Sequence, residues 1–475
     1  MGRLIFVALL FALRSLLSAS AEERPNVLFI AIDDMNDWTT LFDKSNPIKT
    51  PNLERLARRG TFFARGYTNS PACNPSRASV LSGVRPSTSG VYNNSSNWNK
   101  AMPDVTILPQ HFKDHGYKTY ASGKIFHHHG TAFYRYEAFS EYVEFPTKQP
   151  DRPMPPEGNL AGITHSVSWT GKKRPVSRNF DWGVYPPDEN FHIDNRTVEW
   201  AIDKIENAEG PFFIATGIYR PHMPFYAPQK WFDQYPMDSF QPASIKEDDQ
   251  DDLPESAIKM LKARDFMPTF AAGMERDPEF FDKAVRGYQA ASSFADHNVG
   301  RLIDALDSSG KADSTIIVLW SDHGFHVGEK ENWEKFVLYE KATRIPYIIV
   351  APGFNREQVS LRPVSLIDLY PTLVELCGLP ALEHLEGKSL TPLLKNPKTE
   401  KEPVIITYGQ DNHAIRNDQY RYIRYANGDE ELYDTENDPH EWHNLANRSD
   451  SRKIMDIMAQ WIPEMNAGEV GSAHK

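Results

Sequence analysis

Cysteine is almost missing from this chain. Its 475 residues include two, Cys73 and Cys377, too few for a disulfide-built scaffold. An excess of basic charge is missing as well. The net charge of −12 argues against nucleic acid as a partner. It also means that an anionic substrate must be drawn by a local basic pocket, not by the overall field. Long apolar runs are confined to the start. Residues 4–13 follow Met1-Gly2-Arg3, and Ala19-Ser20-Ala21 offers a small-residue cleavage site. Residues 1–21 are therefore expected to be a secretory signal peptide, with Arg14 arguing against a membrane anchor. No later stretch is long and apolar enough to span a bilayer, so the expectation is an exported protein, destined for a periplasm, a lysosome or the medium. Internal repeats and low-complexity tracts are also lacking.

What is present is the pattern of a large α/β enzyme. Residues 26–32, 211–217, 315–320 and 347–351 are short apolar runs rich in β-branched residues, the mark of strands buried on both faces of a sheet. A shorter strand is expected at 117–122. Helices are expected at 51–59, closed by Gly60, and at 108–115, 195–206 and 280–306, the last with Asp282, Arg286, Asp296 and Arg301 on its polar side. The alternation predicts a doubly wound, mostly parallel sheet. Residues 146–188, rich in Pro, Gly and charge, fit a long insertion on the active-site face. The acidic stretch 246–252 fits a solvated loop, and Cys377, in an apolar context, a core residue. From 399 the texture changes to short segments (404–408, 413–416, 420–425 and 431–433) separated by turns, then a helix at 450–461. We therefore expect a catalytic domain over 22–398 and a small C-terminal α+β subdomain with an antiparallel sheet over 399–475.

The chemistry gathers around Ser70-Pro71-Ala72-Cys73-Asn74-Pro75-Ser76-Arg77. Pro75 suits a first helical turn, 76–82 continues as helix, and Gly83 is a natural stop. Cys73 would then sit just ahead of a helix N-terminus, where free N–H groups favour an anion, and Arg77 could clamp a tetrahedral oxyanion. Cysteine phosphatases need Arg six positions after the Cys, and that position is Ser79. Other strand ends carry polar groups too. Asp33-Asp34 follows the first strand and suits either a cation site or a turn or helix cap. Tyr219-Arg220-Pro221-His222 and Ser321-Asp322-His323-Gly324 follow two others. Gly123-Lys124-Ile125-Phe126-His127-His128-His129 is dense in titratable groups, although three adjacent histidines rarely face one ion. Overlapping sequons occur at Asn93 and Asn94.

Cys-X-Pro-Ser-Arg resembles the signature of the formylglycine-dependent sulfatases, in which this Cys is oxidised to an aldehyde. Residues 123–127, 220–225, 321–324, Glu329 with Trp333-Glu334-Lys335-Phe336, and Glu431-Leu432-Tyr433-Asp434 extend the resemblance towards the iduronate-2-sulfatase subgroup. The resemblance implies an alkaline-phosphatase-like fold and hydrolysis of O-sulfate on a sulfated glycan. It implies one divalent cation, Ca²⁺, held by Asp33, Asp34, Asp322, His323 and the oxygen of modified Cys73. It also implies a formylglycine-generating maturation enzyme as partner. Arg77, with the cation, would lower the pKa of the hydrated aldehyde and hold one hydroxyl in line with the sulfur; Lys124, Lys335 and the helix N-terminus would neutralise the sulfate oxygens. His222, alone or with Lys335, would protonate the departing oxygen, and His127 would take the proton from the second hydroxyl of residue 73. Arg220, His326 and Arg344 are candidates to line the substrate pocket; His128 and His129 fit bystanders or substrate contacts. Two rivals stand beside this reading: a phosphonate or phosphate-ester hydrolase of the same fold, and a secreted glycan-binding protein without catalysis.

Overall fold

The computed structural model describes residues 24–471, apart from 128–134, 146–154, 156–157, 176, 178 and 265. The expected signal peptide, His128 and His129 lie outside the described residues. The main sheet has eight strands: β1 (Asn26–Asp33), β2 (Thr61–Phe63), β3 (Lys118–Gly123), β4 (Glu141–Val143), β5 (Phe212–Pro221), β6 (Thr315–Ser321), β7 (Tyr347–Val350) and β8 (Gln358–Ser360). Their spatial order is β8-β2-β7-β6-β1-β5-β3-β4. β1 lies in the middle, paired in parallel with β6 on one side and β5 on the other. β7 departs from the parallel pattern and runs antiparallel to both β6 and β2. Residues 322–346, which join it to β6, have no α-helix longer than the four residues Glu340–Thr343, and without a full crossover helix the chain returns in the opposite direction.

Alternation along β1 divides the core. Val27, Phe29 and Ala31 pack with α1 (Cys73–Ser82) and α2 (Leu108–Asp114) on one face. Leu28, Ile30 and Ile32 pack with α3 (Ile193–Asn207) and α4 (Phe280–Ser308) on the other. Helices cover both faces, so the central strands are apolar throughout. Cys377, 4% exposed, belongs to the first of these clusters. The C-terminal residues form a four-stranded antiparallel sheet, β9 (Val404–Thr407), β10 (His413–Arg416), β11 (Tyr420–Arg424) and β12 (Glu430–Asp434), with α5 (Arg452–Ala459) against it. Among the described residues, no helix is long and apolar enough to cross a membrane.

Two polar residues are not on the surface that periodicity gives them. Asp296 of α4 is buried and accepts the backbone N–H groups of Asn52 and Leu53, capping the helix Pro51–Ala57. Asp249, in the acidic loop, is buried against Lys330 at 3.0 Å. In both cases a long-range partner compensates burial of the charge.

Candidate active site

α1 begins at Cys73, so that Pro75 occupies its third position, where an N–H would still have no helical acceptor. Ala72 is the N-cap and supplies no side-chain bond, and Gly83 ends the helix in the left-handed region at φ 73°. Every residue of α1 is buried. The serine of the motif anchors the helix. Ser76 Oγ donates to the carbonyl of Asp322 at 2.6 Å, as does Thr68. These bonds tie the helix start to the end of β6.

Three strand ends converge on Cys73. Asp33 and Asp34 close β1, with Asp34 in the left-handed region at φ 69°, and Asp322 and His323 follow β6. His323 Nε2 lies 3.2 Å from Cys73 Sγ, and His323 Nδ1 lies 3.2 Å from Asp34 Oδ1. Single atoms of Asp33, Cys73, Asp322 and His323 all lie within 4.8 Å of one another. A second such group is Asp34, Cys73 and His222. Lys124, at the end of β3, pairs with Asp33. Gly217 lets it approach, since a Cβ there would fall 2.2 Å from the Lys124 carbonyl. Lys335 pairs with Asp34 at 2.6 Å, and the amide after it, that of Phe336, donates to Pro71 just before the Cys73 helix. Arg77 Nε donates to Asp322 Oδ2 at 2.8 Å, and its Nη2 lies 3.4 Å from Asp33 Oδ1.

The electrostatics follow from this crowding. Burial pushes the Cys73 thiol up, but Lys124, Lys335, His323 and a hydrogen bond from His127 outweigh it and hold the thiol well below its usual range. Burial also raises Asp33, yet Lys124, His222 and Arg77 bring its carboxyl far below the ordinary value. Asp322 is pushed up to about 7, because burial and the Asp33 charge exceed what Arg77 returns. His323 rises to about 9, since the anions around it overcome its burial.

The site opens into a cleft of about 850 Å³ that Lys124, His127, His222, Glu334 and Lys335 line. His222 Nε2 is 4.0 Å from Asp34 Oδ2, and its Nδ1 contacts the Met223 carbonyl at 2.6 Å. Part of the 146–188 insertion lines the cleft as well, including Ser166, Trp169 and Arg174. Asn94, one of the two asparagines in the overlapping sequons, accepts the Asn74 amide at 3.0 Å beside Cys73.

Three expected pocket residues are elsewhere. Arg220 is buried behind the cleft and donates to the carbonyls of Tyr226 and His222, while Asp194 of α3 accepts the Arg220 amide. It supports the turn carrying His222 and does not line the cleft. His326 is buried with Nδ1 on the Glu329 carbonyl, and burial holds it down to about 4. Arg344 is engaged by Asp37 at 3.3 Å and by the Ala64 carbonyl. Neither lines the cleft, although Glu334 and Lys335 of the same segment do. Sequence reasoning missed Lys262, Arg264 and Trp169 on the cleft wall. Lys262 ends an amphipathic helix, Glu255–Lys262, where a basic residue is ordinary, so nothing local marked it.

Comparison with known proteins agrees with this arrangement. The family model described as Sulfatase matches residues 25–379, and that for the C-terminal part of N-sulphoglucosamine sulphohydrolase matches 328–468. A sulfatase from Formosa agariphila is 36% identical over 94% of this chain and 87% of its own length. Human iduronate 2-sulfatase is 27% identical over 92% of this chain and 94% of its own. The phosphonate monoester hydrolase of Agrobacterium radiobacter shares the fold with a TM-score of 0.75, at 20% identity over 92% of this chain and 94% of its own. The chain belongs to the sulfatase family, sulfuric ester hydrolases built on the alkaline-phosphatase-like fold.

Proposed function

We propose that this sulfatase removes O-sulfate from a sulfated sugar, with residue 73 matured from Cys to formylglycine and with Ca²⁺ at the strand ends. The observation that carries the reading is the meeting of Asp33, Cys73, Asp322 and His323 at the N-terminus of α1. Here Cys73 Sγ stands in for the oxygen of the hydrated aldehyde, which would supply the attacking group. The donor set fits a hard cation: carboxylate oxygens of Asp33, Asp34 and Asp322, with His323 beside them. When bound, the cation would add positive charge next to residue 73 and acidify its oxygen.

The chain's own residues do the rest. Arg77, fixed by Asp322 and Asp33, holds the helix start against the strand ends. Lys124, Lys335 and the helix N-terminus present positive charge where sulfate oxygens would lie, a contribution on the order of 10² to 10³ in rate per donor. His222, at the cleft wall, would donate a proton to the departing sugar oxygen. His127, hydrogen-bonded to residue 73, would take a proton from it and so release sulfate. The iduronate 2-sulfatase relative supports a sugar substrate. Residues 1–21, with the pattern of a signal peptide, support export, and conversion of Cys73 calls for a maturation enzyme as partner. Full retention of Asp33, Asp34, Cys73, Arg77, Asp322 and Lys335 argues against a binding protein without catalysis.

Two measurements test this. The mass of the tryptic peptide 66–77, from protein made with a maturation enzyme, should show formylglycine; an unmodified thiol would remove the nucleophile. Rates on matched sulfate and phosphonate esters should favour sulfate. A preference for phosphonate would instead select the rival shared with the Agrobacterium enzyme.

A further inference from the structure

The cleft has a cationic wall that the sulfate machinery leaves unused. The Arg264 guanidinium lies 4.4 Å from the centre of the Phe336 ring, and the Lys262 ammonium lies 4.9 Å from that of Trp169. Arg174 lines the same cleft from the insertion. All three cations are exposed, and Trp169 is 43% exposed. Lys124 and Lys335, by contrast, paired with Asp33 and Asp34, would serve the scissile sulfate. Among the described residues only two acidic ones line the cleft, Glu144 and Glu334, and burial pushes the Glu334 carboxyl up to about 7. A basic wall on a protein of net charge −12 is a local feature, set against the overall field. A guanidinium held over an aromatic ring keeps N–H donors for a planar or tetrahedral anion. The exposed Trp169 indole, beside Lys262, offers a flat apolar surface to a sugar ring.

We propose that Arg264, Lys262 and Trp169 form a second anion subsite. It takes a carboxylate or a further sulfate carried by the same sugar as the scissile ester or by its neighbour in an oligosaccharide. The inference rests on the sulfatase reading and narrows its substrate class to polyanionic glycans, away from small neutral or cationic sulfate esters. Trp169 bears the ring, and Arg264 and Lys262 neutralise the second charge.

Calorimetric binding separates the subsite from the chemistry. The probes are a tetrasaccharide of alternating glucuronate and N-acetylglucosamine, a galactan tetrasaccharide bearing sulfate but no carboxylate, and neutral cellotetraose. The wild-type protein is expected to bind at least one anionic probe tenfold or more tightly than cellotetraose, and the affinity should fall with added salt. Whichever anionic probe binds better identifies the second charge as carboxylate or sulfate. Arg264→Ala with Lys262→Ala should weaken that probe tenfold or more, and Arg264→Lys should recover part of the loss. The same variants should lose at least tenfold less on 4-methylumbelliferyl sulfate, whose leaving group is neutral. Equal binding of anionic and neutral probes, or unchanged binding in the double variant, would overturn the subsite. So would an equal loss on the aryl sulfate, because the wall would then serve the sulfate itself. Retained probe binding with no sulfate turnover would leave the subsite standing and remove the catalytic reading instead.

Discussion

Lys335 Nζ lies 2.6 Å from Asp34 Oδ1 and 2.8 Å from Oδ2, and the residues on both sides of Lys335 have positive φ. Glu334 stands at 95° and Phe336 at 72°, conformations that cost on the order of 1–3 kcal/mol each for side-chain-bearing residues. Asp34 itself is at 69°. The backbone is held in these shapes where the ammonium meets the carboxylate, so the pair is a place where stability is exchanged for geometry. Lys335→Ala leaves Asp34 buried beside a weaker partner. It is expected to lower unfolding stability by about 3 kcal/mol and turnover by roughly 10² to 10³. Lys335→Arg should regain part of the stability and little of the rate, because a fork does not replace a point charge in a fitted pocket. Denaturant unfolding with kcat on an aryl sulfate reads both, and unchanged stability in the Ala variant would refute the pairing.

His222 is the group proposed to serve the leaving oxygen. An alkyl leaving group needs protonation far more than an acidic phenol does. His222→Ala is therefore expected to lose roughly 10² to 10⁴ in kcat on an alkyl sulfate and much less on an activated aryl sulfate. Equal losses on the two esters would take His222 out of the acid role.

The strands were legible because their burial is two-sided: β1, β5 and β6 are continuous apolar runs, and each delivers its polar residues at the carboxyl end. Ser76 and Arg77 were legible through a short local motif. What failed to show locally was anything set by distant packing. Asp296 has the spacing of a polar helix face, but its carboxylate receives the start of another helix 244 residues away. His326 and Arg344 sit close in sequence to Asp322 and Lys335, yet His326 is engaged by the Glu329 carbonyl and Arg344 by Asp37, and neither lines the cleft. Lys262 and Arg264 look like ordinary helix-end charges until Trp169 and Phe336 are brought beneath them.

Two buried groups give the stability a readable pH dependence. His413 pairs its Nδ1 with Thr407 at 3.0 Å, and burial lowers it to about 4, with Asp411 and Arg424 the charges that face it. Its folded pKa lies below the unfolded value of about 6.5, so its contribution is present above pH 6.5 and lost as pH falls towards 4. Asp296 runs the other way. Burial raises it to about 6, against the hydrogen bonds from Asn52 and Leu53, with Glu54 adding to the rise. Its folded state binds the proton more tightly, so stability falls as pH rises from about 4 to about 6, by about 3 kcal/mol. Asp296→Asn, which keeps an acceptor for the helix cap, should therefore lose stability more steeply than wild type on acidification from pH 6 to 4. His413→Gln should lose it less steeply between pH 6.5 and 4. Urea midpoints across this range decide the matter, and parallel profiles for all three proteins would contradict both assignments.

The carboxylates that suit a cation are also the ones that lysines hold. Asp33 faces Lys124 and Asp34 faces Lys335, so the proposed Ca²⁺ would share each carboxylate with an ammonium. Removing one ammonium takes away a like charge a few ångströms from the ion. Lys124→Met is accordingly expected to bind Ca²⁺ more tightly than wild type while turning over sulfate more slowly. Calorimetric titration of chelator-treated protein measures the affinity. Thermal unfolding gives an independent reading, since a ligand present at 100 times its Kd adds about 2.7 kcal/mol to stability. Asp322→Asn should abolish the Ca²⁺-dependent rise in Tm by removing a carboxylate from the donor set. Mg²⁺, which demands tighter octahedral geometry and keeps its water, should produce a smaller rise. Weaker Ca²⁺ binding in Lys124→Met would mean that the ammonium does not compete for the site, and the cation would then have to be placed away from Asp33.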